Sequence, residues 1–176
     1  RYFIFSSTAA VYGEPQTAII NEQHPTLPIN PYGASKLMVE QVCRDYTRAY
    51  DFHYVALRYF NAAGAHSGGH LAERHDPETH LIPILLQVAQ GLRPHCYLYG
   101  DDYPTSDGSC VRDFIHVMDL CSAHVAALSY LFNGGQSTAF NVGTSQGLSV
   151  KHVIERVSAI TGVPLTVKMA ARRPGD

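Results

Sequence analysis

The chain has 176 residues, close to the roughly 150 of a typical domain, so it can bury one sizeable core, alone or beside a smaller lobe. Apolar residues make up 45% and charged residues 16%, a globular balance that excludes a disordered or collagen-like chain. With 13 Lys and Arg against 15 Asp and Glu there is no basic stripe for a nucleic-acid backbone, and no apolar run approaches the ~18 residues of a membrane span.

Arg1 leads at once into a strand-type run at 2–6, so the chain reads as an internal segment of a longer one. Residues 13–31 carry four prolines and form a long loop. Leu37, Met38, Val42, Tyr46 and Ala49 then recur at helical intervals, which predicts an amphipathic helix over 35–50 whose start Pro31 marks. A β-rich run at 53–60 follows closely, and a helix feeding a buried strand is the grammar of a parallel, open and doubly wound sheet. Beyond a Gly and His rich loop at 61–77 the pattern predicts a helix over 81–90, closed by Gly91 and Pro94. Next come a short strand at 97–99, a polar loop at 101–109, a strand at 111–117 and a helix over 119–132 that Gly134-Gly135 ends. A strand at 138–142, a helix over 150–160 with Ser149 as N-cap and Gly162 as stop, and a strand-like run at 165–169 complete the chain. Cys43, Cys96, Cys110 and Cys121 lack any Cys-x-x-Cys spacing; they read as small core residues in a reducing compartment, the cytoplasm.

The chemistry concentrates in Tyr32-Gly33-Ala34-Ser35-Lys36, where Tyr32 and Lys36 stand four apart near a helix start and share a face. A phenol of pKa ~10 is a poor base at neutral pH, and a nearby ammonium favours its anion. Spacing alone also fits a solvated Lys one turn from a Tyr. The first segment adds context: Ser6, Ser7 and Thr8 lie at the carboxyl end of a buried strand, where open α/β sheets bind ligands. Those hydroxyls could equally cap a turn.

Ser6-Ser7-Thr8 with Val11-Tyr12-Gly13, then Pro31-Tyr32-Gly33-x-Ser35-Lys36, then Arg58-Tyr59-Phe60-Asn61-x-x-Gly64-Ala65, resemble the extended short-chain dehydrogenase/reductases. The run from Gly100-Asp101-Asp102-Tyr103-Pro104 through Arg112-Asp113-Phe114-Ile115-His116-Val117 to Asp119-Leu120 is similar to the nucleotide-sugar 4-epimerases among them. The resemblance implies an α/β fold: the C-terminal part of a Rossmann-like doubly wound parallel sheet plus most of a smaller α/β substrate-binding domain. Residues 1–61 would be the second part of the NAD-binding Rossmann domain and 62–176 mainly the UDP-sugar domain, with about 113–143 packing back on the Rossmann sheet. The Gly-rich dinucleotide fingerprint would lie in roughly a hundred residues upstream. On this reading the segment alone holds no NAD and is inactive, and the full-length protein is a homodimer joined through the 35–50 helix.

The implied activity is interconversion of UDP-glucose and UDP-galactose by transient oxidation at sugar C4, with NAD as cofactor. Tyr32 would take the 4-hydroxyl proton, Lys36 would keep Tyr32 acidic and hold the nicotinamide ribose, Thr8 would bridge the reacting oxygen and Tyr32, and Phe60 would lie by the nicotinamide. Asn61 and Arg112 would bind the diphosphate, His80 and Leu81 the nucleotide through a helix N-terminus, Tyr97 and Tyr99 the uracil, and Arg173 and Asp176 the nucleotide and ribose. His80 stands where many relatives have Asn. Ala9-Ala10 replace the Asp-Glu pair common in nucleotide-sugar dehydratases, so no group is in place to remove water. Two alternatives stay open: turnover of another nucleotide sugar, such as a UDP-N-acetylhexosamine, and a non-catalytic nucleotide-sugar-binding scaffold. The tract His66, His70, His75, His80 shows no metal-binding motif, so no metal is expected.

Overall fold

The computed structural model describes residues 1–173 and 175. In chain order it contains β1 (Tyr2–Thr8), a turn of 3-10 helix (Ala9–Tyr12), α1 (Pro31–Ala49), β2 (His53–Tyr59), β3 (Asn61–Ala63), α2 (Leu81–Ala89) and β4 (Cys96–Tyr99). There follow β5 (Val111–His116), α3 (Val117–Phe132), β6 (Thr138–Val142), β7 (Gly147–Ser149), α4 (Val150–Thr161) and β8 (Val167–Ala170). The described residues divide into two compact units, one of 1–62, 114–145 and 175, the other of 63–113 and 146–173.

The first unit is built on a parallel sheet in the order β1-β2-β6. β2 is central and buried along most of its length, and its alternating side chains serve the two faces. Val55 and Leu57 pack with Ala127 and Leu131 of α3 on one side, while Tyr54 and Ala56 pack with Cys43 of α1 on the other. Helices on both faces of a parallel sheet are the doubly wound arrangement expected from the sequence.

The helix predicted over 35–50 begins earlier, at Pro31. Asn30 is its N-cap, with a side-chain oxygen accepting from the Gly33 amide at 2.8 Å, and Pro31 takes the first helical position, where a missing N–H costs nothing. The apolar stripe of that pattern does not coincide with the helix's buried positions. Met38, Val42 and Tyr46 are more than half exposed, whereas the buried positions are Gly33, Glu40 and Cys43. The 3-10 turn, β3 and β7 were not anticipated; β7 and β3 span three residues each, too few for an alternating pattern to register.

In the second unit β4 and β8 form a parallel pair, and α2 packs against α4 through buried Leu85, Val88, Val153 and Ile154. Val111 to Asp113 pair antiparallel with β7. Ser149 caps α4 and Gly162 ends it in the left-handed region at φ 70°, as the sequence predicted. Asp107 organises the loop before β5: it accepts from the Ser149 and Ser109 hydroxyls and the Ser109 amide, which together hold its carboxyl down to about 2. Cys43, Cys96 and Cys110 are buried, but Cys121 is exposed on α3, against the expectation that all four are core residues. No helix among the described residues is long and apolar enough to cross a membrane.

Candidate active site

The carboxyl ends of the three parallel strands are level, with Thr8 opposite Tyr59 and Tyr59 opposite Val142. Thr8 is buried, and its hydroxyl accepts from the Ala10 amide at 3.2 Å, turning the chain into the 3-10 helix. The capping role read from the sequence is thus filled by Thr8, the side chain also singled out as a site candidate. Phe60 and Asn61 follow directly from β2, both half-buried.

The start of α1 is seated on this edge by Gly33. A Cβ there would lie 2.4 Å from the Ala10 carbonyl oxygen and 3.0 Å from Pro28 Cβ, so only glycine allows the contact. Gly33→Ala in the complete protein is expected to cost about 1–3 kcal/mol through overpacking, measured by urea unfolding. A loss below about 0.5 kcal/mol would show that the helix start is free to shift.

The same docking brings Lys36 to β1. Its Nζ donates to the Ser6 carbonyl at 3.0 Å and lies 5.2 Å from the centre of the Phe5 ring and 5.7 Å from that of Tyr32. Tyr32 is half-exposed, and its hydroxyl makes no hydrogen bond among the described residues. A phenol open to a ligand and an ammonium one turn away thus share the carboxyl edge of the sheet with Thr8. The Ser6 carbonyl restrains the long Lys36 side chain from swinging into solvent.

Behind this edge lies a polar network that sequence reasoning missed. Glu40 is 1% exposed and Arg58 5%. Arg58 Nε donates to Glu40 Oε1 at 2.9 Å and its Nη2 to Oε2 at 2.6 Å, a bidentate fork, while the Ser7 hydroxyl donates to Oε1 at 2.6 Å. The third Arg58 nitrogen donates to the Tyr12 hydroxyl at 3.0 Å, which in turn donates to Asn141 Oδ1 at 2.6 Å. Burial alone would lower the Arg58 pKa, but the hydrogen bonds to Glu40 and Tyr12 outweigh it and hold the guanidinium above its ordinary value. Burial pushes the Tyr12 phenol up, so it stays protonated and able to donate. The available signal was Arg58, a charged residue in an otherwise apolar and aromatic strand.

The remaining candidates lie in the second unit. Leu81 opens α2, and His80 stands at its N-cap without a side-chain cap bond. The Glu78 carboxylate instead accepts from the Thr79 and His80 amides, both at 2.8 Å. Tyr97 and Tyr99 project from β4 with ring centres 5.9 Å apart, and the Arg173 guanidinium stacks 4.2 Å over Tyr99. Arg112 lies in β5 opposite Leu148. Asp176 lies outside the described residues.

The model of the NAD dependent epimerase/dehydratase family matches residues 1–143. The chain belongs to this family. Within it, the chain is 54% identical over its whole length to the UDP-glucose 4-epimerase of Halalkalibacterium halodurans, covering 53% of that protein. It is similar to a crystal structure of UDP-glucose 4-epimerase from Brucella ovis in complex with NAD, at 48% identity and a TM-score of 0.96, covering all of this chain and 54% of that one. The epimerase structure from Stenotrophomonas maltophila, with bound NAD and formylated UDP-arabinopyranose, matches with a TM-score of 0.95 and 43% identity, over 100% of this chain and 53% of that one. The chain thus spans about half the length of the family members it matches.

Proposed function

We propose that the complete protein interconverts UDP-glucose and UDP-galactose by reversible oxidation at sugar C4, with NAD as its resident cofactor. The observation that carries this reading is the Tyr32 phenol with the Lys36 ammonium beside it at the carboxyl edge of a parallel sheet. The family and the names of its members support the substrate. Bound NAD would supply a reversible hydride acceptor. The residues that fit it are Tyr32, Lys36 and Phe60: a hydroxyl and an ammonium for a ribose, and an aromatic face for a nicotinamide.

The chain's own residues then have distinct tasks. Tyr32 removes the proton of the 4-hydroxyl and gives it back, and Lys36 lowers the cost of the phenolate that forms in between. Thr8 holds the reacting oxygen next to Tyr32. Asn61 in the first unit and Arg112 in the second are each assigned to the diphosphate, and a guanidinium offers a planar fork to phosphate oxygens. Tyr97 and Tyr99 suit the uracil, His80 and Leu81 the nucleotide, and Arg173 with Asp176 the remaining nucleotide and ribose contacts. Residues 1–61 belong on this reading to the NAD-binding domain and 62–176 mainly to the UDP-sugar domain. Ala9 and Ala10 leave no acid or base to expel water, which favours epimerisation over dehydration.

The exposed stripe Met38, Val42 and Tyr46 on α1 suits a homodimer contact in the complete protein, and the free cysteines suit the cytoplasm. The test of function is to supply the complete protein with UDP-galactose without added cofactor and to follow UDP-glucose by proton NMR. Interconversion without net oxidation is the expected result. Failure to interconvert with NAD verifiably bound would overturn the substrate assignment.

A further inference from the structure

The segment leading into α2 brings together four side chains that the reaction does not use as a group. Glu73, His75, Glu78 and His80 each direct one oxygen or nitrogen to a common point, all within 4.8 Å of one another. In sequence the histidines looked isolated, because the pattern Glu-x-His-x-x-Glu-x-His belongs to no helix and its two carboxylates gave no spacing signal. Folding supplies the missing ligands.

The separations around the cluster are 2.9 Å from His80 Nδ1 to Glu73 Oε1 and 3.2 Å from His75 Nδ1 to the same oxygen. His80 Nδ1 lies 3.0 Å from Glu78 Oε1, and His75 Nδ1 lies 3.6 Å from Glu78 Oε2. Four ligands held about 2.0–2.1 Å from a tetrahedral ion stand about 3.3 Å apart, and the His–Glu separations here run from 2.9 to 3.6 Å. Glu78 is the most enclosed of the four: its side chain is only 4% exposed, its Oε1 accepts from the Thr79 and His80 amides, and its Oε2 faces His75 Nδ1.

Charge points the same way. Among the described residues neither carboxylate is paired with Lys or Arg; Arg93, the nearest cation bonded to this segment, donates to the Glu78 backbone carbonyl instead. Two carboxylates and two neutral imidazoles carry a charge that one divalent ion cancels. We propose that Glu73, His75, Glu78 and His80 form a site for a divalent cation of the zinc type, which clasps the irregular segment 73–80 ahead of α2. Two imidazoles suit zinc better than magnesium or calcium, which take six or more oxygens. On binding, each Nδ1 presents its lone pair and Nε2 carries the ring proton. The ligands fall within eight residues, so closing the ring costs little chain entropy.

Because His80 is also assigned to the nucleotide, the test leaves His80 unchanged and reads metal uptake alone. The complete protein, stripped by chelator, is titrated with Zn2+ by calorimetry beside Glu73→Gln and His75→Ala. Both positions are on the partly exposed rim, and Glu73→Gln keeps the side-chain volume, so the fold survives. One zinc equivalent per chain is expected, with affinity weakened at least about tenfold in each variant and no competition from excess Mg2+. No zinc uptake by the wild type, or uptake unchanged in both variants, would overturn the proposal and leave a network of His–Glu hydrogen bonds.

Discussion

Tyr32→Phe in the complete protein is expected to lower kcat by roughly two to four orders of magnitude, the range of a lost general acid–base group, with KM nearly unchanged. The reasoning rests on position. The ring is half-exposed and its hydroxyl is bonded to nothing among the described residues, so removing one oxygen disturbs neither packing nor any hydrogen bond. What is lost is the atom that exchanges the proton. Steady-state kinetics with UDP-galactose, together with a thermal melt showing an unchanged midpoint, make the check. A kcat within about fivefold of wild type would remove Tyr32 from the chemistry, and a scaffold that only binds nucleotide sugars would have no turnover to lose. Lys36→Met should act in the same direction, since it removes the positive charge held 5.7 Å from the centre of the Tyr32 ring.

The second large effect is on stability. Arg58→Met leaves the Glu40 carboxyl group 1% exposed with its fork partner gone, and is expected to cost about 3–5 kcal/mol. The rest of the network cannot compensate. Ser7 offers one hydroxyl, and Arg44, 4.0 Å from Glu40 Oε2, is too distant for a hydrogen bond. The pair changed together to apolar residues, Arg58→Met with Glu40→Leu, should be less destabilised than Arg58→Met alone, because no uncompensated charge remains buried. Denaturant unfolding of both variants decides. A single-variant cost below about 1 kcal/mol, or a double variant worse than the single, would mean that the pair does not carry its charge in a desolvated interior.

The network also explains why part of the site was illegible in the sequence. The stripe Met38, Val42 and Tyr46 has the spacing of a core face, and periodicity cannot tell a face turned to the domain interior from one left on the surface. Glu40, which a hydropathy pattern assigns to solvent, is buried because Arg58 reaches it from a neighbouring strand 18 positions away. Likewise His75 and His80 looked like loop histidines until Glu73 and Glu78 were brought round them. For Glu40 the deciding partner is a contact across elements, and for the histidines it is the path of an irregular segment; periodicity along one element contains neither.

Local features fared differently. Asn30-Pro31 before a helix, Ser149 at a cap, Gly162 at a stop and the β-rich run now seen as β2 act through near-neighbour backbone bonds and intrinsic preferences, so their order along the chain determined them. The alternation of strands and helices determined the parallel sheet, since a right-handed crossover is the compact route between such strands. The choice of Tyr32, Lys36 and Thr8 as candidates was equally local, a matter of one helical turn and one strand end. Only the tertiary structure decided that Gly33 presses the helix start onto Ala10, that Lys36 is tethered to Ser6, and that two charges lie buried behind them. Close approach and desolvation are properties of surfaces brought together, and they exist only once the chain has folded.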